Sequence, residues 1–275
     1  MYSLWYRLRQ FLRFYLAADT RYQVHSPFVF EFAGAVLEDD RWYYAFEDVE
    51  AIRARMLNSE VTLNMTDYGA SDAGKAPVEK QVPLRSIARV AASSPAQGRR
   101  LFRLVQWLKP GRILELGSSV GVGAMYLAAA AREARLLSLE GSEACSHVAR
   151  ANLGILGLNH RADVIQGAFS DTLPGALQAL GMADLVFFDG HHRKVPTIAY
   201  FEQCLSHVHE RSVLVFDDVY WSPEMTAAWE QIRQHPRVTL SIDCYDLAFV
   251  FFNPDIKEKQ HFRLAPSAWK PWKKW

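Results

Sequence analysis

The stretch "LVFFDGHHRK" at residues 185–194 concentrates groups that can do chemistry: a carboxylate at Asp189, imidazoles at His191 and His192, and cations at Arg193 and Lys194. Aspartate with histidine can ligate a divalent metal. The same residues can equally be a strand end followed by a polar loop. A second stretch is "ELGSSVGVG", residues 115–123. Gly117 and Gly121 allow a tight turn and let the backbone approach a ligand with no Cβ in the way, while Ser118 and Ser119 add hydroxyls. The spacing is not the dinucleotide fingerprint G-x-G-x-x-G, because Ser119 stands at its second glycine, and there is no P-loop lysine. The third feature is Glu140 with Gly141, about twenty residues beyond the glycine turn. A carboxylate there can accept hydrogen bonds from both hydroxyls of a ribose, or it can face solvent.

The elements that must position these groups follow a pattern. From residue 112 short apolar runs alternate with helical segments: "RILELG" (112–117), "RLLSLEG" (135–141), "ADVIQG" (162–167), "ADLVFFDG" (183–190) and "SVLVFDD" (212–218) read as strands. Helices are expected over 120–134, 142–157, 195–208 and 223–235. In the second of these Ser142 is an N-cap, and Ala144, Val148, Ala151 and Ile155 share a face. Continuous apolar strands separated by helices indicate an α/β fold, a doubly wound and mostly parallel sheet covered on both faces. "VTLSIDC" (238–244) and "LAFVFFN" (247–253) are too close for a crossover helix and should form an antiparallel hairpin. The glycine turn and Asp189 then both lie at carboxyl ends of strands, where such sheets bind ligands.

The flanks differ. Residues 3–16 fit an amphipathic helix, with Leu4, Leu8, Phe11, Leu12 and Tyr15 on one face and Arg9 and Arg13 on the other. The plain expectation is a helix packed on the body or on a partner; the other is peripheral contact with a membrane. Residues 67–80, with Asp67, Tyr68, Ser71 and Lys75, read as a loop able to close over a site. The terminal "AWKPWKKW" holds three tryptophans and three lysines. It can stack on single-stranded nucleic acid, anchor at a membrane interface or fold back onto the body.

Composition narrows the classes. The chain has 275 residues, half of them hydrophobic, and a formal charge of +1, so no global field draws it to nucleic acid or lipid. Cys145, Cys204 and Cys244 lack metal-ligand spacing, and a reducing, cytoplasmic setting fits them. No apolar run approaches the roughly 20 residues that span a bilayer.

The ordered series "ILELGSSVGVGAMYLA", "LLSLEG", "DVIQGAF", "DLVFFDG" and "VLVFDDVYWSPEM" resembles the class I S-adenosylmethionine-dependent methyltransferases over roughly residues 98–253. The resemblance implies a Rossmann-like sheet of seven strands with the last reversed. Beside it the chain divides into a helical N-terminal extension with lid over 1–97, a domain over 98–256 that would bind the cofactor and a basic aromatic tail over 257–275. The resemblance further implies that Glu115 and the Gly117–Gly121 turn, Ser118 and Ser119 included, hold the methionine part of S-adenosylmethionine. Glu140 with Gly141 would hold the ribose, Gly167, Ala168 and Phe169 would border the adenine, and Asp189 would lie near the transferred methyl group. Ser119 departs from the family's more usual glycine.

Within that family the pattern resembles the O-methyltransferases that include catechol O-methyltransferase. Those place an Asp after the fourth strand and an Asp-Asn pair after the fifth around a divalent cation. The similar positions are Asp189, Asp217 and Asp218, with Asp218 in place of Asn, a carboxylate set suited to Mg²⁺. Strand-end acids facing solvent are the alternative. Where that group has a catalytic lysine this chain has His192, with Lys194 two residues on, so these are the candidates for proton transfer. "GHH" also looks like a looser group of small-molecule and sugar methyltransferases. The expected activity is methylation of a small-molecule oxygen, with cation assistance. The competing readings are a nucleic-acid or protein acceptor and a cofactor-binding protein without catalysis. No Asn/Asp-Pro-Pro-aromatic motif follows the fourth strand, which disfavours nucleic acid. The oligomeric state stays open, a homodimer included.

Overall fold

A computed structural model describes residues 4–67, 78–90 and 92–273. Two compact units are formed, one by residues 1–40 with 192–275 and the other by 41–191. In chain order the first unit opens with α1 (Leu4–Ala17) and α2 (Pro27–Phe32). The second unit holds α3 (Tyr44–Leu57), β1 (Thr62–Asp67), β2 (Val78–Pro83), α4 (Leu84–Val90), α5 (Pro95–Leu108), β3 (Arg112–Leu116), α6 (Val122–Ala130), β4 (Arg135–Glu140), α7 (Glu143–Ile155), β5 (Ala162–Gln166), α8 (Phe169–Leu180) and β6 (Ala183–Phe188). The first unit resumes with α9 (Lys194–Leu205), β7 (Val208–Asp217), α10 (Pro223–Gln234), β8 (Leu240–Asp243), β9 (Leu247–Phe251) and β10 (Gln260–Arg263).

The strands build a mostly parallel eight-stranded sheet in the order β10-β8-β9-β7-β6-β3-β4-β5. β3 runs parallel to β4 and to β6, and β4 parallel to β5. β9 is antiparallel to β7 and β8. The seven expected strands are present, and the sequence reading missed an eighth. β10, within the segment read as a tail, pairs parallel with β8 at the sheet edge. Its four residues are only half-buried and carry no apolar run to announce a strand. The inner strands are continuous apolar runs, as a sheet covered on both faces requires; Ile113, Leu114, Val186, Phe187, Leu214 and Phe249 are among its buried residues.

Helix termini follow their sequence signals. Ser142 accepts the Cys145 N–H and caps α7, and Ser94 with Gln97 makes a capping box before Pro95 at the start of α5. Two expected faces are corrected. On α7 the buried residues are Cys145, Ser146, Ala149, Asn152 and Leu153, while Ile155 is exposed. One position of shift turns a helical face by about 100°, and the polar pull came from Asn152, whose amide donates to the Val120 carbonyl. On α1 the packed face is that of Phe14, not that of the leucines.

Residues 62–67 and 78–83 form an antiparallel pair, so the expected lid loop is narrower than 67–80. Tyr68, Ser71 and Lys75 lie outside the described residues. The C-terminal segment folds back within its own unit. Lys270 is buried with its ammonium on the Ala18 carbonyl, and Ser267 bonds Glu38. Among the described residues no helix is long and apolar enough to cross a membrane.

Candidate active site

β3 carries Glu115, which is fully buried. In the β3–β4 register it faces Ser138, whose hydroxyl donates to Oε2 and also bonds the hydroxyl of Ser118. Oε1 is buried without a hydrogen-bond partner. Gly123 makes room for it, since a Cβ there would stand 2.3 Å from that oxygen. Burial pushes the Glu115 carboxyl up to about 8; the Ser138 bond opposes this, and the charges of Asp189 and Glu140 add to it. Ser138 was not singled out in the sequence, although a lone serine within an apolar strand was its signal.

The chain leaves β3 through Gly117 at φ 109°. Its N–H and that of Ser118 donate to the Leu139 carbonyl at 2.9 and 3.1 Å. A Cβ on Gly117 would sit 2.2 Å from the Asp189 carbonyl oxygen, so only glycine lets the ends of β3 and β6 meet here. Ser119 adopts φ 48°, an unusual conformation for a residue with a Cβ. It is held by its N–H, which donates to Glu140 Oε2 at 2.7 Å. The Ser142 N–H donates to Oε1 at 2.8 Å. Burial raises the Glu140 carboxyl, and the N–H groups of Ser142, Ser119 and Gly141 pull against that rise.

Gly167, at φ 143°, leads from β5 through Ala168 into α8, whose first residue is Phe169. The Phe169 ring lies over the turn after β6. It would be 2.7 Å from a Cβ on Gly190, and its centroid is 5.8 Å from the His191 ring. Asp189 Oδ2 accepts from the Ser93 hydroxyl at 3.3 Å. Ser93 is buried, and its carbonyl accepts from the Arg53 guanidinium. Arg53 in turn pairs with Glu50, which accepts from the Tyr126 hydroxyl at 2.8 Å. Ser93 and Arg53 lie within residues 1–97, expected as a helical extension with a lid, where no residue pattern placed them beside Asp189. One unit thus gathers Glu115, Gly117, Ser118, Ser119, Gly121, Glu140, Gly141, Gly167, Ala168, Phe169 and Asp189 at the carboxyl ends of β3, β4, β5 and β6.

The remaining expected residues belong to the other unit. His192 precedes α9 and Lys194 is its first residue. Asp217 ends β7 and is buried, whereas Asp218 turns out of the strand at φ 54°. Among the described residues no group of three or more His, Cys, Asp or Glu is placed to hold a metal ion. Asp189 lies in one unit and Asp217 and Asp218 in the other.

A methyltransferase-domain family profile matches residues 114–219. A protein of Mycobacterium tuberculosis named catechol O-methyltransferase is 31% identical over 173 residues, 62% of this chain and 71% of that protein. The chain belongs to the class I S-adenosylmethionine-dependent O-methyltransferases. A solved O-methyltransferase of Streptomyces achromogenes, involved in tomaymycin synthesis and in complex with S-adenosylmethionine, is 25% identical. It covers 59% of this chain and 82% of its own, with a TM-score of 0.53. An O-methyltransferase of Bacillus cereus in complex with S-adenosylhomocysteine shares the fold at 22% identity. It covers 80% of this chain and 99% of its own, with a TM-score of 0.56.

In this O-methyltransferase several positive-φ residues cluster at the carboxyl ends of the strands. Gly117, Ser119, Gly121, Gly167 and His191 all have positive φ, and each lies just beyond a strand end or within the turn that follows one. Open α/β sheets bind their ligands at such ends.

Proposed function

We propose that this O-methyltransferase transfers the methyl group of S-adenosylmethionine to a hydroxyl oxygen of a small molecule. The carrying observation is Glu115, a buried carboxyl with one oxygen unbonded beside a glycine-lined turn. A buried polar atom without a partner costs roughly 1–3 kcal/mol, and a cationic ligand group arriving there recovers it. In this reading Glu115 takes the ammonium of the methionine part, with Ser118 and the N–H groups of the turn nearby. Glu140, oriented by two backbone donors, takes the ribose hydroxyls. Gly167, Ala168 and Phe169 border the adenine.

The bound sulfonium supplies an already activated methyl group. What remains for the protein is to hold an acceptor oxygen in line at about 3–3.5 Å and to receive the proton that oxygen loses. His192 is the proposed base, because imidazole exchanges protons near neutrality, and Lys194 is the second candidate. The finer reading is that Asp189, Asp217 and Asp218 would hold a divalent cation, an oxygen-donor set of the kind Mg²⁺ takes, which would lower the pKa of the acceptor hydroxyl. Because one relative is named a catechol O-methyltransferase, an aromatic diol is the first acceptor to try.

Titration calorimetry with S-adenosylmethionine tests the cofactor part. Binding by the intact chain, weakened at least tenfold by Glu115→Gln, is expected; no heat at millimolar cofactor would sink the proposal. Transfer of labelled methyl to a diol, run with and without chelator, tests the acceptor and the cation separately.

A further inference from the structure

α1 packs with one face and leaves the opposite face apolar. Phe14 is buried, the Tyr6 hydroxyl donates to Thr226, and Phe11 meets the Tyr245 ring edge-on at 5.1 Å. On the other side Leu4, Trp5, Leu8, Leu12 and Leu16 are 81, 78, 45, 49 and 76% exposed. The four leucines recur every four residues, which makes one continuous stripe along the helix. Isolated exposed leucines are ordinary, but a contiguous stripe marks a surface that something covers.

The charge on the helix selects the occupant. Its charged residues are Arg7, Arg9 and Arg13, with no acid. Arg9 and Arg13 are exposed at the border of the stripe, and Arg7 lies over the Trp221 ring at 4.7 Å. A second copy of α1 would bring arginines against arginines with no carboxylate from the helix to pair them. Anionic lipid offers both an apolar layer for the leucines and phosphates for arginine side chains that snorkel outward.

The far end of the chain extends the same surface. Tyr15 donates to the Trp269 carbonyl at 2.9 Å, and Phe11 meets the Trp269 ring at 6.1 Å. Lys270, buried on the Ala18 carbonyl and over the Tyr15 ring, pins this segment. Trp269 and Trp272 are 39 and 65% exposed, and tryptophan is the residue most at home at a headgroup boundary.

We infer that α1, with Trp269 and Trp272 beside it, is a peripheral docking surface for anionic membranes, on which α1 lies flat. The inference stands apart from the catalytic reading. The test is co-sedimentation of the full chain with vesicles of 3:1 phosphatidylcholine and phosphatidylglycerol, against vesicles of phosphatidylcholine alone. The expected result is pelleting with the anionic vesicles, weakened by salt and reduced about tenfold or more by Arg9→Glu with Arg13→Glu. Leu8→Glu with Leu12→Glu should abolish it while leaving the unfolding midpoint unchanged, since both side chains are exposed. Absence of pelleting, or pelleting unaltered in the leucine variant, would overturn the inference. So would a concentration-dependent dimer that the leucine variant abolishes in a chain that ignores vesicles; the occupant would then be a second copy.

Discussion

Glu115 and Gly117 set the conditions at the residue scale. The Glu115 carboxyl is raised from 4.5 to about 8 by burial. A group whose folded pKa lies above its unfolded value contributes stability that is full below the unfolded pKa and is lost as pH rises through the folded one. Glu115 should therefore make the protein progressively less stable between about pH 4.5 and 8. Glu115→Gln should flatten that window, measured as the difference between the two denaturation curves across pH. The same residue predicts that a cationic cofactor group drives proton release, visible as a binding enthalpy that changes with the ionisation heat of the buffer. At Gly117 the backbone is left-handed and a Cβ would overlap the Asp189 carbonyl. Gly117→Ala should cost about 1–3 kcal/mol in stability and weaken cofactor binding more than tenfold. A variant with native affinity would show that the 189–191 turn can yield.

At the scale of elements, packing overrode periodicity. The leucines of α1 have helical spacing, but Phe14, Tyr6 and Phe11 make the contacts. Phe14, Phe11 and Tyr6 bury large rings on the inner face. Tyr245 is part of the same arrangement. It sits at φ 76° between β8 and β9, stacks on Tyr220 at 5.3 Å and donates to the Arg7 carbonyl. Beneath it Asp243 is fully buried, bonded by the Tyr220 hydroxyl, and burial pushes its carboxyl up to about 6. The C-terminal segment is tied to α1 through Lys270, one ammonium on one carbonyl. Lys270→Ala should lower stability by about 1–3 kcal/mol and speed proteolysis at the end of α1, read by denaturant unfolding and timed digestion. Unchanged digestion would mean that the segment is held by its other contacts, the Tyr15–Trp269 and Ser267–Glu38 hydrogen bonds among them.

For the whole molecule, a ligand that binds only the folded chain stabilises it by mass action. S-adenosylmethionine at a hundredfold excess over its Kd should add about 2.7 kcal/mol, a rise in Tm of roughly 5–10 °C. An unmoved midpoint would argue against the cofactor reading without touching the membrane inference. The alternation of strands and helices, the glycine turn and the two carboxylates Glu115 and Glu140 could be read from the chain. Each depends on local chemistry: apolar runs that must be covered, glycines at positive φ, acids at strand ends. β10 could not be read, because a short edge strand of mixed polarity has no pattern of its own. Nor could the link from Asp189 through Ser93 to Arg53, which joins residues 96 positions apart in its longer step. Sequence alone determined the seven apolar strands and the glycines and acids that end them. Tertiary structure decided which side chains meet, since meeting depends on the direction of each Cα–Cβ bond and on which groups compete for the same interior space.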